Sequence, residues 1–145
     1  MQGVRFSIMK STTVPILRYQ DAKKSIVWLC KTFGFEVFLE VPGKNEAIEH
    51  ARLVLGDNMV MIASLGRDGD FENSFISPLK VGGVTQCTSI YVEEPENIYK
   101  MVVEAGVEII DKLAEFQFGG KTFSCKDIES HVWVITSHNP WEKLW

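Results

Sequence analysis

Two stretches of the chain place apolar residues three and four positions apart. Ala22, Ile26, Leu29, Cys30 and Phe33 form one stripe, and Ile98, Met101, Val102 and Ala105 form the other. That period predicts two amphipathic helices, over Ala22–Phe33 and from Pro95 to Ala105. Asp21 supplies an N-cap for the first. Pro95 suits the first turn of the second, where a missing N–H costs nothing. Gly34 and Gly106 provide the left-handed residue that stops each helix. Shorter alternating or apolar runs predict strands at Thr12–Tyr19, Phe35–Val41, Ala47–Leu55 and Met59–Ala63. A second set follows at Thr85–Val92, Val107–Leu113, Lys121–Lys126 and His131–Thr136. Turn residues at Pro42–Asn45, Gly56–Asn58 and Asp127–Ser130 separate neighbouring strands. Pro15 belongs at a sheet edge or strand end, because it has no N–H to give a ladder.

Each half therefore reads β-α-β-β-β, and the halves also match in sequence. Ser25–Phe38 (SIVWLCKTFGFEVF) lies over Asn97–Ile110 (NIYKMVVEAGVEII), pairing Ile26 with Ile98, Leu29 with Met101, Gly34 with Gly106 and Glu36 with Glu108. Two copies of one unit in a short chain pack pseudo-symmetrically, and a cavity between them is a natural ligand site. The 145 residues are expected to form a single domain. Module one spans 12–64, a connecting segment 65–83, module two 84–137 and a C-terminal tail 138–145. The segment Leu65–Gly83 mixes glycines with charges and reads as a surface loop. Its length marks it as a lid or a dimer contact.

Composition narrows the function. With 46% hydrophobic and 23% charged residues the sequence is that of an ordinary globular protein. A net charge of −4 argues against nucleic acid or an anionic membrane as partner, since both need a basic face. No apolar run approaches the about 20 residues of a membrane span, and the opening MQGVRFSIMKSTT lacks the apolar core of a secretory leader. Cys30, Cys87 and Cys125 are widely spaced and show no C-x-x-C pairing, so neither a disulfide framework nor a structural zinc site is indicated. A reducing cytoplasm is the expected compartment. No G-x-S-x-G, H-E-x-x-H or phosphate-loop pattern occurs.

Three stretches carry a family resemblance. They are Gln20–Phe38 (QDAKKSIVWLCKTFGFEVF), Ile48–Gly56 (IEHARLVLG) and Phe118–Trp141 (FGGKTFSCKDIESHVWVITSHNPW). Together they resemble the vicinal oxygen chelate superfamily, which holds glyoxalase I, bleomycin resistance proteins, fosfomycin resistance enzymes and extradiol dioxygenases. The tail is the most specific part. The family's Tyr-Gly-x-Arg, Asp-Pro-x-Gly-His-x-Trp and Pro-Trp appear here as Phe118–Lys121, Asp127–Trp133 and Pro140–Trp141. The resemblance implies an α+β fold of two βαβββ modules forming a partly open mixed β-barrel around a cleft, and a homodimer. It also implies four inward metal-ligand positions, which fall at Val14, Val54, Cys87 and Val134. Three valines and one thiol do not match the imidazole, carboxylate or thiolate donors a divalent ion needs. No cofactor is expected, and a divalent metal only through non-standard ligands.

Strand alternation supplies other candidates. It puts Ile48, His50, Arg52 and Val54 on one face and Glu49, Ala51, Leu53 and Leu55 on the core face. A His beside an Arg can orient an anionic or carbonyl-bearing ligand. Arg18 shares the inward parity of Val14 and Ile16, and Ser89 and Tyr91 share that of Cys87. An arginine in such a place suits a carboxylate or phosphonate. Lys121, after Gly119–Gly120, matches the family's Arg and completes the set of cleft candidates. His131 is expected to face the helix layer as a structural residue, and His138 to be exposed in the tail. The leading expectation is a small organic molecule bound in the cleft without the usual metal. The alternatives are a metal-dependent lyase or isomerase related to glyoxalase I, using ligands such as His50 and Cys87, and a non-catalytic dimerising or regulatory module.

Overall fold

A computed structural model describes residues 10–143. Met1–Met9, where part of the leader reading fell, and the last two residues of the tail lie outside the described residues. Module one runs β1 (Ile16–Tyr19), α1 (Ala22–Phe33), β2 (Glu36–Pro42), β3 (Ile48–Leu55) and β4 (Asn58–Ser64). The connecting segment holds a 3₁₀ turn (Glu72–Ser74) and a one-turn helix α2 (Pro78–Val81). Module two runs β5 (Thr88–Tyr91), α3 (Pro95–Ala105), β6 (Ile109–Glu115), β7 (Lys121–Lys126) and β8 (Val132–Thr136). No helix among the described residues is long and apolar enough to cross a membrane.

The helices begin and end where the sequence says. The Asp21 carboxylate accepts from the Lys24 N–H at 3.1 Å, and Gly34, at φ 90°, sends its N–H to the Cys30 carbonyl. Gly106 ends α3 in the same left-handed region. The strands form two four-stranded sheets in equivalent order, β1-β4-β3-β2 and β5-β8-β7-β6. In each, the first strand pairs parallel with the last and the others pair antiparallel. The chain is thus α+β, built of two βαβββ modules. No strand of one sheet pairs with the other among the described residues, so the arrangement is open rather than a closed barrel.

Helices α1 and α3 pack on each other and each on its own sheet. One hydrophobic core joins both modules: Leu29, Phe33, Leu53 and Ile62 from the first meet Val102, Phe123, Trp133 and Ile135 from the second. Phe33 sits edge-on to Trp133, ring centroids 5.1 Å apart. Each fully buried side chain of this size contributes about 2–3 kcal/mol. The opposite face of each sheet is left open. Strand β2 is exposed along its whole length, including Val37, Phe38, Leu39 and Val41.

Local differences from the predicted elements have physical causes. Strand β1 begins at Ile16 rather than Thr12: Pro15 has no N–H for the ladder, though its carbonyl still accepts from Met61 N at 2.9 Å. Strand β5 begins at Thr88, leaving Cys87 outside it. Ile48, expected on the face of His50, is buried in the core. The β2–β3 register skips Glu49, with Val41 opposite His50 but Pro42 opposite Ile48, and this bulge turns Ile48 over.

The modules are locked together at one turn. Asp127 accepts four hydrogen bonds, from Tyr19 Oη (2.5 Å), Trp133 Nε1 (2.9 Å) and the backbone N–H groups of Glu129 and His131 (2.9 and 3.1 Å). Burial and the Asp127 carboxylate together hold the Tyr19 phenol well above its ordinary pKa. Asp127→Ala strands the buried Tyr19 and Trp133 donors, so urea unfolding should show a loss of about 3–5 kcal/mol. A change under about 1 kcal/mol would mean that solvent replaces the carboxylate at this site.

Candidate functional site

The open face of sheet one is built from β1, β4, β3 and β2. Ile16 lies beside Met61, Met61 beside Arg52, and Arg52 beside Leu39, making one row across the sheet. Two residues along each strand, Arg18 lies beside Ala63 and His50 beside Val41. Arg18, His50 and Arg52 are therefore brought to one face, as their alternation predicts. Arg52 Nε donates to His50 Nε2 at 3.1 Å, so that ring nitrogen accepts and the imidazole carries its proton on Nδ1. Burial, then the charges of Arg52, Arg18 and Arg67, push the His50 pKa below its ordinary value.

Arg18 is only 8% exposed. Its Nε and Nη2 donate to the two carboxylate oxygens of Glu72 at 2.8 and 2.9 Å. Its guanidinium carbon lies 4.7 Å from the Phe75 ring centroid and 5.8 Å from that of Phe71. Arg67 bonds the same Glu72 at 3.1 Å and Glu49 at 2.8 Å. The connecting segment is thus folded over sheet one, with Glu72 clamped by two guanidiniums. Above all the Arg18 hydrogen bond holds the Glu72 carboxyl below the usual carboxylate range.

The open face of sheet two has different chemistry. Ser89 and Tyr91 line a cavity of about 470 Å³ with Thr122, Val134, Thr136 and Phe116. The Thr122 and Thr136 hydroxyls bond each other at 2.6 Å. His138 forms a further wall, its ring 5.1 Å from that of Phe116. Half-buried, it is not the free tail residue that the sequence predicted. The reason is Gly120, at φ 78°: a Cβ there would lie 2.7 Å from the His138 backbone nitrogen, so only glycine lets the tail cross so closely. Among the described residues His138 Nδ1 is buried with no hydrogen-bond partner.

The remaining candidates lie elsewhere. Cys87 is exposed and lines a second cavity of about 700 Å³ with Val14, Phe75 and His131; neither Arg18 nor His50 lines it. The Lys121 amine reaches Glu96 of α3 at 3.4 Å, on the side away from its neighbour Thr122. Arg18 does not meet Ser89 and Tyr91, because they occupy different sheets. His131 has the structural contacts expected of it, its Nε2 bonding the Arg18 carbonyl at 2.9 Å and its ring packing on Tyr19, but it also lines the cavity of Val14 and Cys87 instead of facing only the helix layer. Glu72, Phe75, Thr122 and Thr136 escaped the sequence reading, and His138 entered it only as an exposed tail residue. Alternation from Val134 was the one signal that pointed to Thr136.

The sequence model of the Glyoxalase/Bleomycin resistance protein/Dioxygenase superfamily matches residues 10–135. The chain belongs to that superfamily. Among solved structures, TioX from Micromonospora sp. ML1 is similar over 90% of this chain and 100% of its own, with 26% identity and a TM-score of 0.67. A fosfomycin resistance protein, FosX, from Listeria monocytogenes, complexed with Mn(II) and sulfate ion, shares the fold over 95% and 100% of the two chains, at 14% identity and TM-score 0.64. Lactoylglutathione lyase from Agrobacterium tumefaciens shares it over 94% and 99%, also at 14% and 0.64. No curated protein matches the chain in sequence.

The glyoxalase-type metal positions can be tested against this chain's side chains. Val14 lies in the larger cavity with Cys87, Val134 in the smaller one, and Val54 on β3 beside Met59 and Glu36. Three hydrocarbon side chains and one thiol do not fit a divalent ion. Among the described residues no three His, Cys, Asp or Glu side chains converge as a metal-binding group.

A depressed histidine pKa has a definite sign. The folded state takes up a proton at His50 less readily than the unfolded chain does. Its contribution to stability is therefore present above the ordinary value of about 6.5 and is lost as pH falls through the folded value. An NMR titration should place the His50 pKa below 6.5, and Arg52→Gln should raise it. A titration at or above the ordinary value would show that the guanidiniums do not act on this ring.

Proposed function

We propose that this superfamily member binds a small organic molecule on its open sheet faces, with no divalent ion at the usual ligand positions. The observation that carries this is the contrast between donor-free positions and a formed cavity. Val14, Val54 and Val134 offer nothing to a cation, while Ser89, Tyr91, Thr122, Thr136 and Phe116 surround a space of about 470 Å³. That size, with apolar walls and a few hydroxyls, suits a planar organic ligand. The hydroxyls give direction, and the aromatic and aliphatic walls give most of the binding energy.

Two further parts belong to the same reading. The exposed apolar run on β2 and the open faces support a homodimer, in which a second copy covers surface that is unusual on a monomer. Three free cysteines support a reducing, cytoplasmic setting. The alternative of a metal-dependent lyase, favoured by the likeness to lactoylglutathione lyase, would need displaced ligands such as His50 and Cys87. Within the chain those two sit on different surfaces, which supports binding over that chemistry.

Calorimetric titration against a panel of planar aromatic compounds should find ligands whose affinity a chelator does not change. Ser89→Phe, placed at an exposed position of the cavity, should weaken them at least about tenfold with little change in thermal stability. Stoichiometric metal in untagged protein, together with chelator-sensitive binding, would overturn the reading.

A further inference from the structure

The Arg18–Glu72 clamp joins a rigid partner to a loose one. Arg18 projects from the middle of a hydrogen-bonded strand and is only 8% exposed. Glu72 sits on a 3₁₀ turn in the connecting segment, where burial is confined to Ser77 and Pro78. Phe71, Ile76, Leu79 and Val81 in the same segment are all more than half exposed. Little apolar burial therefore pins this stretch down, and two ion pairs tie it to sheet one, Glu72 to Arg18 of β1 and Arg67 to Glu49 of β3. The local charges are also unequal. Three guanidiniums, of Arg18, Arg52 and Arg67, face two carboxylates, of Glu49 and Glu72. Among the described residues Arg52 makes no ion pair; its partner is the neutral His50 ring.

We propose that the Arg18, Arg52 and His50 face of sheet one is a carboxylate subsite for the organic ligand, and that Glu72 fills it as a tethered carboxylate which the ligand displaces. This rests on the reading that the open faces bind a small organic molecule. The exchange conserves the Arg18 bonding: a ligand carboxylate takes over the bidentate pair from Arg18, and Glu72 keeps its second partner, Arg67 of the same segment. Phe75, stacked against the guanidinium, marks where an aromatic body attached to that carboxylate would lie. Arg52 supplies the second cation that Glu72 does not use. Because Glu72 competes intramolecularly, it lowers the apparent affinity for any anion by the fraction of time it occupies the subsite. The subsite therefore selects ligands that combine an acid with enough apolar surface to win that competition.

The test uses 2-naphthoate and its neutral isostere 2-naphthamide on the full chain, with thermal melts of every variant. Wild type should prefer the acid. Glu72→Gln should bind 2-naphthoate about tenfold more tightly and leave 2-naphthamide unchanged, because a neutral side chain competes poorly for Arg18. Phe71→Ser, an exposed change in the same segment, should act in the same direction by a smaller factor and stands in if the Gln variant does not fold. Arg18→Gln should abolish the preference for the acid. Equal binding of the two probes by wild type and Glu72→Gln, or weaker naphthoate binding by Glu72→Gln, would overturn the subsite while leaving the broader reading intact. Failure of both probes and of the wider aromatic panel would overturn both.

Discussion

A single buried carboxylate sets the relation between the halves of this chain. Asp127 lies in the β7–β8 turn of module two, yet its Oδ2 accepts from Tyr19 at the end of β1 in module one. An ionised carboxylate removed from water is unfavourable by several kcal/mol unless its lone pairs are filled, and here four donors fill them. Glu129, two residues on, extends the contact. Its oxygens accept from the backbone N–H groups of Gln20 and Asp21 at 2.7 and 2.8 Å and from the Ser25 hydroxyl at 3.3 Å. The turn of one module thus caps the strand-to-helix junction of the other. His131 closes the set by bonding the Arg18 carbonyl. The backbone that carries the buried cation of sheet one is therefore held by the turn of sheet two.

Much of this architecture is legible in the sequence, for reasons that particular residues make plain. Gly34 and Gly106 fall at equivalent points of the repeat, and each takes up the left-handed conformation that stops a helix. Alternation sorts Ala51 and Leu53 from His50 and Arg52 correctly, because one face of β3 is sealed by α1 and the other is not. Ile48 breaks that logic at a bulge, and a bulge is a property of the paired strands, invisible in either strand alone. The turn Pro78–Val81 did carry a local signal, Ser77 followed by Pro78, a cap and a first-turn proline. It is lost inside a segment whose composition otherwise reads as loop.

The site was legible only in halves. Parity places Arg18, His50 and Arg52 on one face and Ser89 and Tyr91 on another, but parity says nothing about which sheet faces which. The partners that define each surface come from far along the chain. Glu72 reaches Arg18 across the connecting segment, and His138 reaches Phe116 only because Gly120 lacks a side chain. Lys121 shows the opposite limit. A family position suggested the cleft, but Thr122 next to it points into the cavity, and a strand cannot send both neighbours the same way.

The two open faces are equivalent in backbone and opposed in chemistry. Sheet one presents guanidiniums and a neutral imidazole, with a carboxylate laid over them; sheet two presents hydroxyls, a phenol and aromatic walls. Such divergence between repeated units follows from how little the core constrains the other side of each sheet. Tyr19, Ile62, Ile90 and Ile135 fix the helix-facing positions by packing, whereas Arg18 and Tyr91 answer to nothing in the core and are free to differ.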